Sequence, residues 1–338
     1  MTETNPKAMT TSKDKVIRIQ DLKLIKEEIK EAGIPCKSIV LDVTRQNYDD
    51  ITKALKSLLR YPALEGIMIA GYATKFAQAI DLTILSELPN LHSLSVNICE
   101  GRGYLIDFSK FRLKEFSGAW FSHYQGLESL IELEVLRLSA YKATNLEALS
   151  HMSLLHTLVL WDSHVPSLAG IERCTRLKDM DLFRIKGLTD LSPLSQHPSL
   201  ERLYLLSNRY LTQVQALSTC PKLCKLCIEK CKYIADIATL EGATEIARIT
   251  LDQVQSISFL PELPKLEFVY LEDVFDCDIR PLLRCRSTKY VWFPNKKKYN
   301  LTREEFVKEV GASLDEYGGI TRGELDKSIA SWEALGMP

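Results

Sequence analysis

No window of the 338-residue chain reaches 18 uninterrupted apolar residues, so no segment has the length and character of a membrane-spanning helix. Neither sign of charge is in excess. Lys and Arg number 43, Asp and Glu number 44, and the net charge is −1. No global field therefore draws the chain to nucleic acid or to an anionic membrane. The opening residues, MTETNPKAMTTSKDK, lack an apolar stretch, so no secretory signal is expected. Nine cysteines, an odd number thinly spread, read without such a signal as reduced cytosolic thiols rather than a disulfide framework. Phosphate cradles are missing too: there is no GxxxxGK[ST] and no GxGxxG after a strand, and Gly101-Arg102-Gly103 is a short loop. Lys296-Lys297-Lys298 falls short of the roughly five to eight residues of a nucleic-acid or membrane patch and reads as a solvated turn.

What is present is a repeat. The template LxxLxLxx opens at Leu91, Leu113, Leu133, Leu155, Leu177, Leu200, Leu223, Ile246 and Leu266, with spacings of 20 to 23. Positions 1, 4 and 6 of these nine frames are apolar at 26 of 27 sites, Gly118 being the exception. The chain is 46% hydrophobic, so chance would give about 12. A second pattern follows each strand-like half. Leu188, Leu191 and Leu194 lie 11, 14 and 17 residues after their frame start, as do Leu211, Val214 and Leu217, and Ile234, Ile237 and Leu240. Spacing of three predicts a 3₁₀ or short α turn with one buried face. Each repeat is thus a short strand, a bend, a helical turn and a return.

The stretch GLTDLSPLSQHPSLERLYLLSN, Gly187 to Asn208, resembles the consensus of bacterial 22-residue leucine-rich repeats. In that family position 9 is Asn or Cys, whose side chain satisfies backbone groups inside the bend. Here it holds Cys99, Asn208 and Cys231, and departs to Phe121, Tyr141, Ser163, Ile185, Val254 and Val274. Those departures suggest an irregular solenoid. The resemblance covers roughly residues 88–293. It implies an α/β fold: a right-handed solenoid with a parallel concave β-sheet and short helical or 3₁₀ convex segments, capped by helices at both ends.

Four segments are expected: a flexible 1–14, longer βα units over 15–90 that begin the same sheet and cap it, repeats over 91–293, and a C-terminal helical cap over 294–338. In the second, Cys36-x-x-Ile39-x-Leu41 and Leu64-x-x-Ile67-x-Ile69 are strand frames. Tyr48 to Arg60 (Ile51, Leu55, Leu58, Leu59) and Asp21 to Ala32 (Leu22, Ile25, Ile29) have helical spacing, with Gly33 as a C′ residue. A last strand is expected over Lys289–Phe293, with two frames open for its register. Beyond it, Thr302 with Glu305 and Thr321 with Glu324 read as capping boxes of two helices separated by Gly318-Gly319, with Phe306, Val307 and Val310 packing back.

Candidate chemistry is sparse. Cys220, Cys224, Cys227 and Cys231 are close in sequence, but the repeat puts Cys231 inward, Cys220 in a turn, and Cys224 and Cys227 on opposite sides of one strand. Four thiolates converging at about 2.3 Å on Zn²⁺ are not expected. Cys174 and Cys220 share one slot, three residues before a frame start, which suits a buried corner. Cys227 is the candidate exposed thiol. His151 and His156 are five apart, off one helical face, and no Ser/His/Asp order recurs in register. No catalytic, metal or cofactor residue is assigned.

In the architecture the resemblance implies, positions 3, 5 and 7 of each strand point out of the concave side, and neighbouring strands stack about 4.8 Å apart. Position 7 reads Asn97, Ala119, Ser139, Trp161, Phe183, Leu206, Glu229, Asp252, Glu272. Position 5 adds Asp181, Tyr204 and Tyr270; position 3 adds Asp179, Arg202, Lys225, Arg248 and Phe268. Aromatics beside charges are the composition of a protein-binding hot spot. Trp161, Phe183, Tyr204 and Leu206 are the candidate anchors. Asp181, Glu229, Asp252 and Glu272 would pair with a basic partner, while Asp179, Arg202, Phe268 and Tyr270 complete the candidate contact set.

The expectation is a cytoplasmic, non-enzymatic protein, monomeric when free, that binds a protein on its concave face and engages neither nucleic acid nor membrane. Stand-alone repeat proteins of this kind are similar to immunity proteins, which implies a toxin domain with a basic patch as the partner, neutralised by occlusion. A general adaptor or regulatory subunit would use the same face. A host-directed effector enzyme is disfavoured, because 45 residues after Phe293 leave no room for a ubiquitin-ligase domain.

Overall fold

A computed structural model describes residues 16–22, 25, 27, 29, 37–44, 46–72, 78–99, 104–315 and 318–321. The chain forms two compact units, 1–138 and 139–338. Both are built of parallel strands joined by 3₁₀ or helical turns, and the fold is a leucine-rich-repeat solenoid.

In the first unit the strands Val16–Ile19, Ser38–Asp42, Gly66–Tyr72, Ser93–Cys99 and Glu115–Ala119 lie parallel in chain order. The long early units are in register with the repeats: Ile39 pairs with Ile67 and Ile67 with Leu94, while Leu41 pairs with Ile69 and Ile69 with Val96. Between the second and third strands runs the helix Tyr48–Leu58. Asn47 caps it by accepting a hydrogen bond from Asp50 N–H, and Ile51, Ala54, Leu55 and Leu58 form its buried face. Of the helix expected over Asp21 to Ala32, Leu22, Ile25 and Ile29 are buried as its spacing requires. Gly33, Cys36 and the first fourteen residues lie outside the described residues.

Gly118, the one non-apolar site in the template, has a steric cause. A Cβ placed there would lie 2.8 Å from the carbonyl oxygen of Val96 on the neighbouring strand and 3.5 Å from the Phe116 ring. The buried Phe116 already fills the space that a leucine at 118 would occupy, and meets Phe108 edge to face at 4.8 Å. Gly118→Ala should therefore cost about 1–3 kcal/mol through overpacking. A thermal unfolding midpoint equal to the wild type would show that the two strands separate to admit the methyl group.

In the second unit the strands Thr157–Trp161, Asp179–Phe183, Arg202–Leu206, Lys225–Glu229, Arg248–Asp252, Phe268–Leu271 and Tyr290–Trp292 pair in parallel without a slip. Every pairing joins equal template positions; Asp179, for example, lies opposite both Thr157 and Arg202. The core fills the space between sheet and turns. Leu188, Leu191, Leu194, Leu211, Val214, Leu217, Ile234, Ile237 and Leu240 are all buried, in or beside 3₁₀ turns such as Ser192–Leu194 and Gln215–Thr219. Position 8 carries a left-handed residue in six repeats (Ala140, Asp162, Arg184, Ser207, Lys230, Gln253; φ 51 to 59°), which turns the chain sharply off each strand.

The irregular position 9 turns out to be compensated. Asn208 is fully buried; its Oδ1 accepts from Ile185 N–H at 2.8 Å and its Nδ2 donates to the Leu182 carbonyl at 2.8 Å. Ser163 Oγ accepts from Tyr141 N–H and donates to the Trp161 carbonyl. Each polar occupant thus serves the repeat before it, so an apolar residue is tolerated when the next repeat supplies the partner. Tyr299, from beyond the last strand, does the same: its hydroxyl accepts from Val274 N–H at 3.1 Å and donates to the Glu272 carbonyl at 3.2 Å.

The last strand is Tyr290–Trp292, with Phe268 opposite Tyr290 and Tyr270 opposite Trp292. Its frame therefore opens at Thr288, which is buried together with Val291 and Phe293. The helix Arg303–Val310 follows. It has a full Thr302–Glu305 capping box, and Phe306 is buried against Phe293 at 5.9 Å. Gly318-Gly319 lies in the turn of an antiparallel hairpin, Ser313–Leu314 with Ile320–Thr321. The second of these strands pairs antiparallel to Tyr290–Trp292 and covers the edge that a parallel sheet would leave open. Glu324, and with it the second capping box, lies outside the described residues. Lys296 and Lys298 are not simply solvated: both pair with Asp273, at 3.1 and 2.8 Å.

Candidate protein-binding face

Five residues of position 7 form an unbroken ladder across adjacent strands: Trp161, Phe183, Leu206, Glu229 and Asp252. Parallel pairing in equal register puts each side chain above the next, about 4.8 Å away, on the face opposite the core. Trp161, Phe183 and Leu206 are half-buried, so an apolar ridge runs three strands wide and meets carboxylates on the next two.

The remaining candidates are placed differently from the open contact surface expected of them. Tyr204 is buried. Its ring meets Phe183 edge to face at 4.8 Å and its hydroxyl donates to Glu229 Oε1 at 3.1 Å, so it supports the ridge rather than projecting from it. Phe268 is buried under Tyr290, stacked at 4.9 Å. Tyr270 stacks on Trp292 at 4.4 Å and donates to Glu272 Oε1 at 2.6 Å. The period of two correctly placed these rings on the outer face. It could not show that a longer neighbouring side chain lies across them. Tyr290 and Trp292, missed while the last register stood open, extend the aromatic surface; the frame Thr288-x-x-Val291-x-Phe293 was the available signal.

Charges on the face also engage one another. Arg202 donates to Asp179 Oδ1 at 2.9 Å and to Asp181 Oδ1 at 2.7 Å, so these three form an internal triad. Asp181 is thereby already matched by a cation. The carboxylates left to a partner are Glu229, Asp252 and Glu272, and two of them also accept hydroxyl hydrogen bonds from Tyr204 and Tyr270. Both tyrosine hydroxyls are pushed well above their ordinary pKa, first by burial, so they stay protonated donors.

Asp252 is held above the usual carboxylate range. Partial burial is the largest cause, followed by Glu272 and Glu229, with Lys230 opposing. Its charged form is thus disfavoured in the folded state. As pH falls through the raised folded value, the folded protein takes up this proton before the unfolded chain does, and the penalty disappears. Asp252→Asn should therefore raise stability at neutral pH, by about 0.5–1 kcal/mol if the effect is of cross-strand like-charge size. The gain should shrink as pH drops below the carboxylate range. Urea titrations at both pH values check this, and a variant less stable than wild type at neutral pH would contradict it.

The cysteines are dispersed. Cys220 Sγ points to the Leu194 carbonyl, Cys224 to that of Glu201, Cys227 to Glu229 Oε1 and Cys231 to the Leu205 carbonyl. Among the described residues no three His, Cys, Asp or Glu side chains are placed to hold a metal ion. Cys174 and Cys220 do occupy one slot, each directed at a carbonyl of the preceding repeat, and burial pushes both thiols up to about 11. The buried His197 fills the same slot in the repeat between them. Cys227 is half-buried and its thiol is raised further, by burial and then by Glu229, which opposes a nucleophilic role.

No protein-family model matches the chain, and no curated protein matches it. Solved structures do. Internalin C2 of Listeria monocytogenes is 25% identical, with 50% of this chain and 75% of that one covered and a TM-score of 0.43. Internalin F of the same organism is 18% identical over 74% of this chain and 96% of that one, with a TM-score of 0.36. A leucine-rich-repeat protein of Leptospira interrogans is 12% identical over 80% and 81%, with a TM-score of 0.41.

Proposed function

We propose that this chain is a non-catalytic solenoid that binds a partner protein on the outer face of its sheet, and that it acts by occlusion, as an immunity protein does on a toxin domain. The observation that carries the reading is the position-7 ladder, in which a half-buried Trp161–Phe183–Leu206 ridge runs directly into Glu229 and Asp252. An apolar centre flanked by charge is the anatomy of a hot spot with a steering rim. The carboxylates match a partner with a basic patch, which a toxin domain acting on an anionic substrate would carry. The test is a pull-down from the native cell with wild type and a Trp161→Ala/Phe183→Ala variant. One stoichiometric partner held by wild type and lost by the folded variant is the expected result. A partner without toxic activity when expressed alone would turn the reading to an adaptor. Equal retention by both proteins would remove the face from consideration.

A further inference from the structure

Position 10 of the repeats lies just past the bend that follows each strand. It holds Lys142, His164, Lys186, Arg209 and Lys232 in five successive repeats, all exposed. The backbone aligns them. Lys142 bridges to His164 and His164 to Lys186. Arg209 follows in the same register, set between the Phe183–Leu206 pair and the Asp190–Gln213 bridge. Lys232 follows Arg209, set between the Leu206–Glu229 pair and the bond from Ala235 N–H to the Thr212 carbonyl. Next to this row two further side chains repeat, Tyr210 and Tyr233, at 58% and 56% exposure. Lys232 Nζ lies 5.0 Å from the centre of the Tyr233 ring.

This row differs from the basic residues at another corner of the unit. At the corner that precedes the strands, Lys178 pairs with Glu201, Lys265 with Glu245 and Lys289 with Glu267. Among the described residues Lys142, Lys186, Arg209 and Lys232 make no ion pair, and each stands beside another base or a histidine. Like charges stacked on adjacent strands repel. They persist here without the direct ion pairs of that corner; Asp162, itself paired with Arg184, acts on Lys186 only at longer range.

We propose that this edge is a second recognition surface, and that it takes an acidic segment of a polypeptide. The choice over nucleic acid follows from the position-7 acids. Position 7 precedes position 10 by three residues, at most about 10 Å of chain, which is also about one Debye length at 0.1 M salt. Of the position-7 residues in these five repeats Glu229 is the acid, with Asp252 on the next strand, so a nucleic acid charged at every nucleotide would meet carboxylates at the Lys232 end of the row. A polypeptide can set its carboxylates along the row and place neutral or basic residues against the acids, while its apolar side chains cover Tyr210 and Tyr233. This surface is separate from the sheet-face ridge, and either can fail while the other stands.

The test is fluorescence anisotropy of the full chain with a labelled peptide of alternating Glu and Ser, against a labelled oligothymidylate of equal charge. The wild type should bind the peptide more tightly than the oligonucleotide. Raised salt and Lys186→Glu/Arg209→Glu should each weaken the peptide by about tenfold or more. Lys178→Glu/Lys265→Glu, with the same change in net charge at the opposite corner, should not. The proposal is overturned if the peptide fails to bind, if both double variants weaken it equally, or if the oligonucleotide binds more tightly.

Discussion

Replacing Asn208 by alanine should lower the free energy of unfolding by about 3 kcal/mol, the largest loss expected from any single polar side chain of the second unit. Asn208 is completely buried, and its amide makes two 2.8 Å hydrogen bonds, one from Ile185 N–H and one to the Leu182 carbonyl. Removing the amide leaves both backbone groups without water or partner. Each such orphan costs about 1–3 kcal/mol, more than the bond itself was worth. No relief is available from the neighbouring column, because Ile185, at the equivalent position one repeat earlier, is apolar. Asn208→Asp separates the two contributions: it keeps the acceptor for Ile185 N–H, loses the donor, and buries a charge. Cys231→Ala gives the scale of a mild loss, since that thiol makes weak sulfur contacts, at 3.4 Å from Asn208 N–H, 3.3 Å to the Glu229 carbonyl and 3.7 Å to the Leu205 carbonyl. Urea unfolding should show the midpoints ordered wild type, Cys231→Ala, Asn208→Ala, with similar slopes. An Asn208→Ala midpoint equal to the wild type would mean that the bend closes over its own backbone without help.

That position also shows how far sequence reading reaches in this fold. The strand register was legible in the nine template frames, though not in the last strand, because a slip of one residue would send a whole apolar set to solvent; the pairs Met180–Leu203 and Leu226–Ile249 follow the template frames without adjustment. The helical turns were legible for the same reason, their spacing of three being a burial pattern. The apolar occupants of position 9 read as irregularity, because a template compares each repeat with a consensus and not with the repeat that follows it. Ile185 is satisfied by Asn208, Tyr141 by Ser163, and Val274 by Tyr299, which lies outside any frame. The outer face was legible as a column but not as a surface. Alternation places Tyr204 and Phe268 outward as it does Trp161, and only three-dimensional packing shows the first two covered. Position 10 stood unread because its charges occur singly, 22 or 23 residues apart, and only the coil makes them a row.

The second large effect is on binding. In the complex with the captured partner, Trp161→Ala/Phe183→Ala should weaken affinity by about 100- to 1,000-fold. Large rings at the centre of an interface cost about 2 kcal/mol or more when truncated, about 30-fold each. The two are adjacent on paired strands, so their losses will not add in full. Stability must be followed in parallel, because Phe183 also supports the folded state through its edge-to-face contact with Tyr204 at 4.8 Å, worth about 0.5–1.5 kcal/mol. Phe183→Leu serves that purpose: it retains apolar bulk in the ridge and removes the ring. By calorimetry the double alanine variant should lose affinity far beyond its loss of stability, with Phe183→Leu intermediate. Glu229→Gln should behave otherwise. It keeps an acceptor for the Tyr204 hydroxyl and removes only the charge, so its effect should fall chiefly on the association rate and fade at high salt. A ridge that merely packs gives a different pattern, in which all three variants bind within about threefold of wild type and only the melting temperature moves. The ratio of affinity loss to stability loss therefore separates a recognition surface from a packing ladder, whatever the partner proves to be.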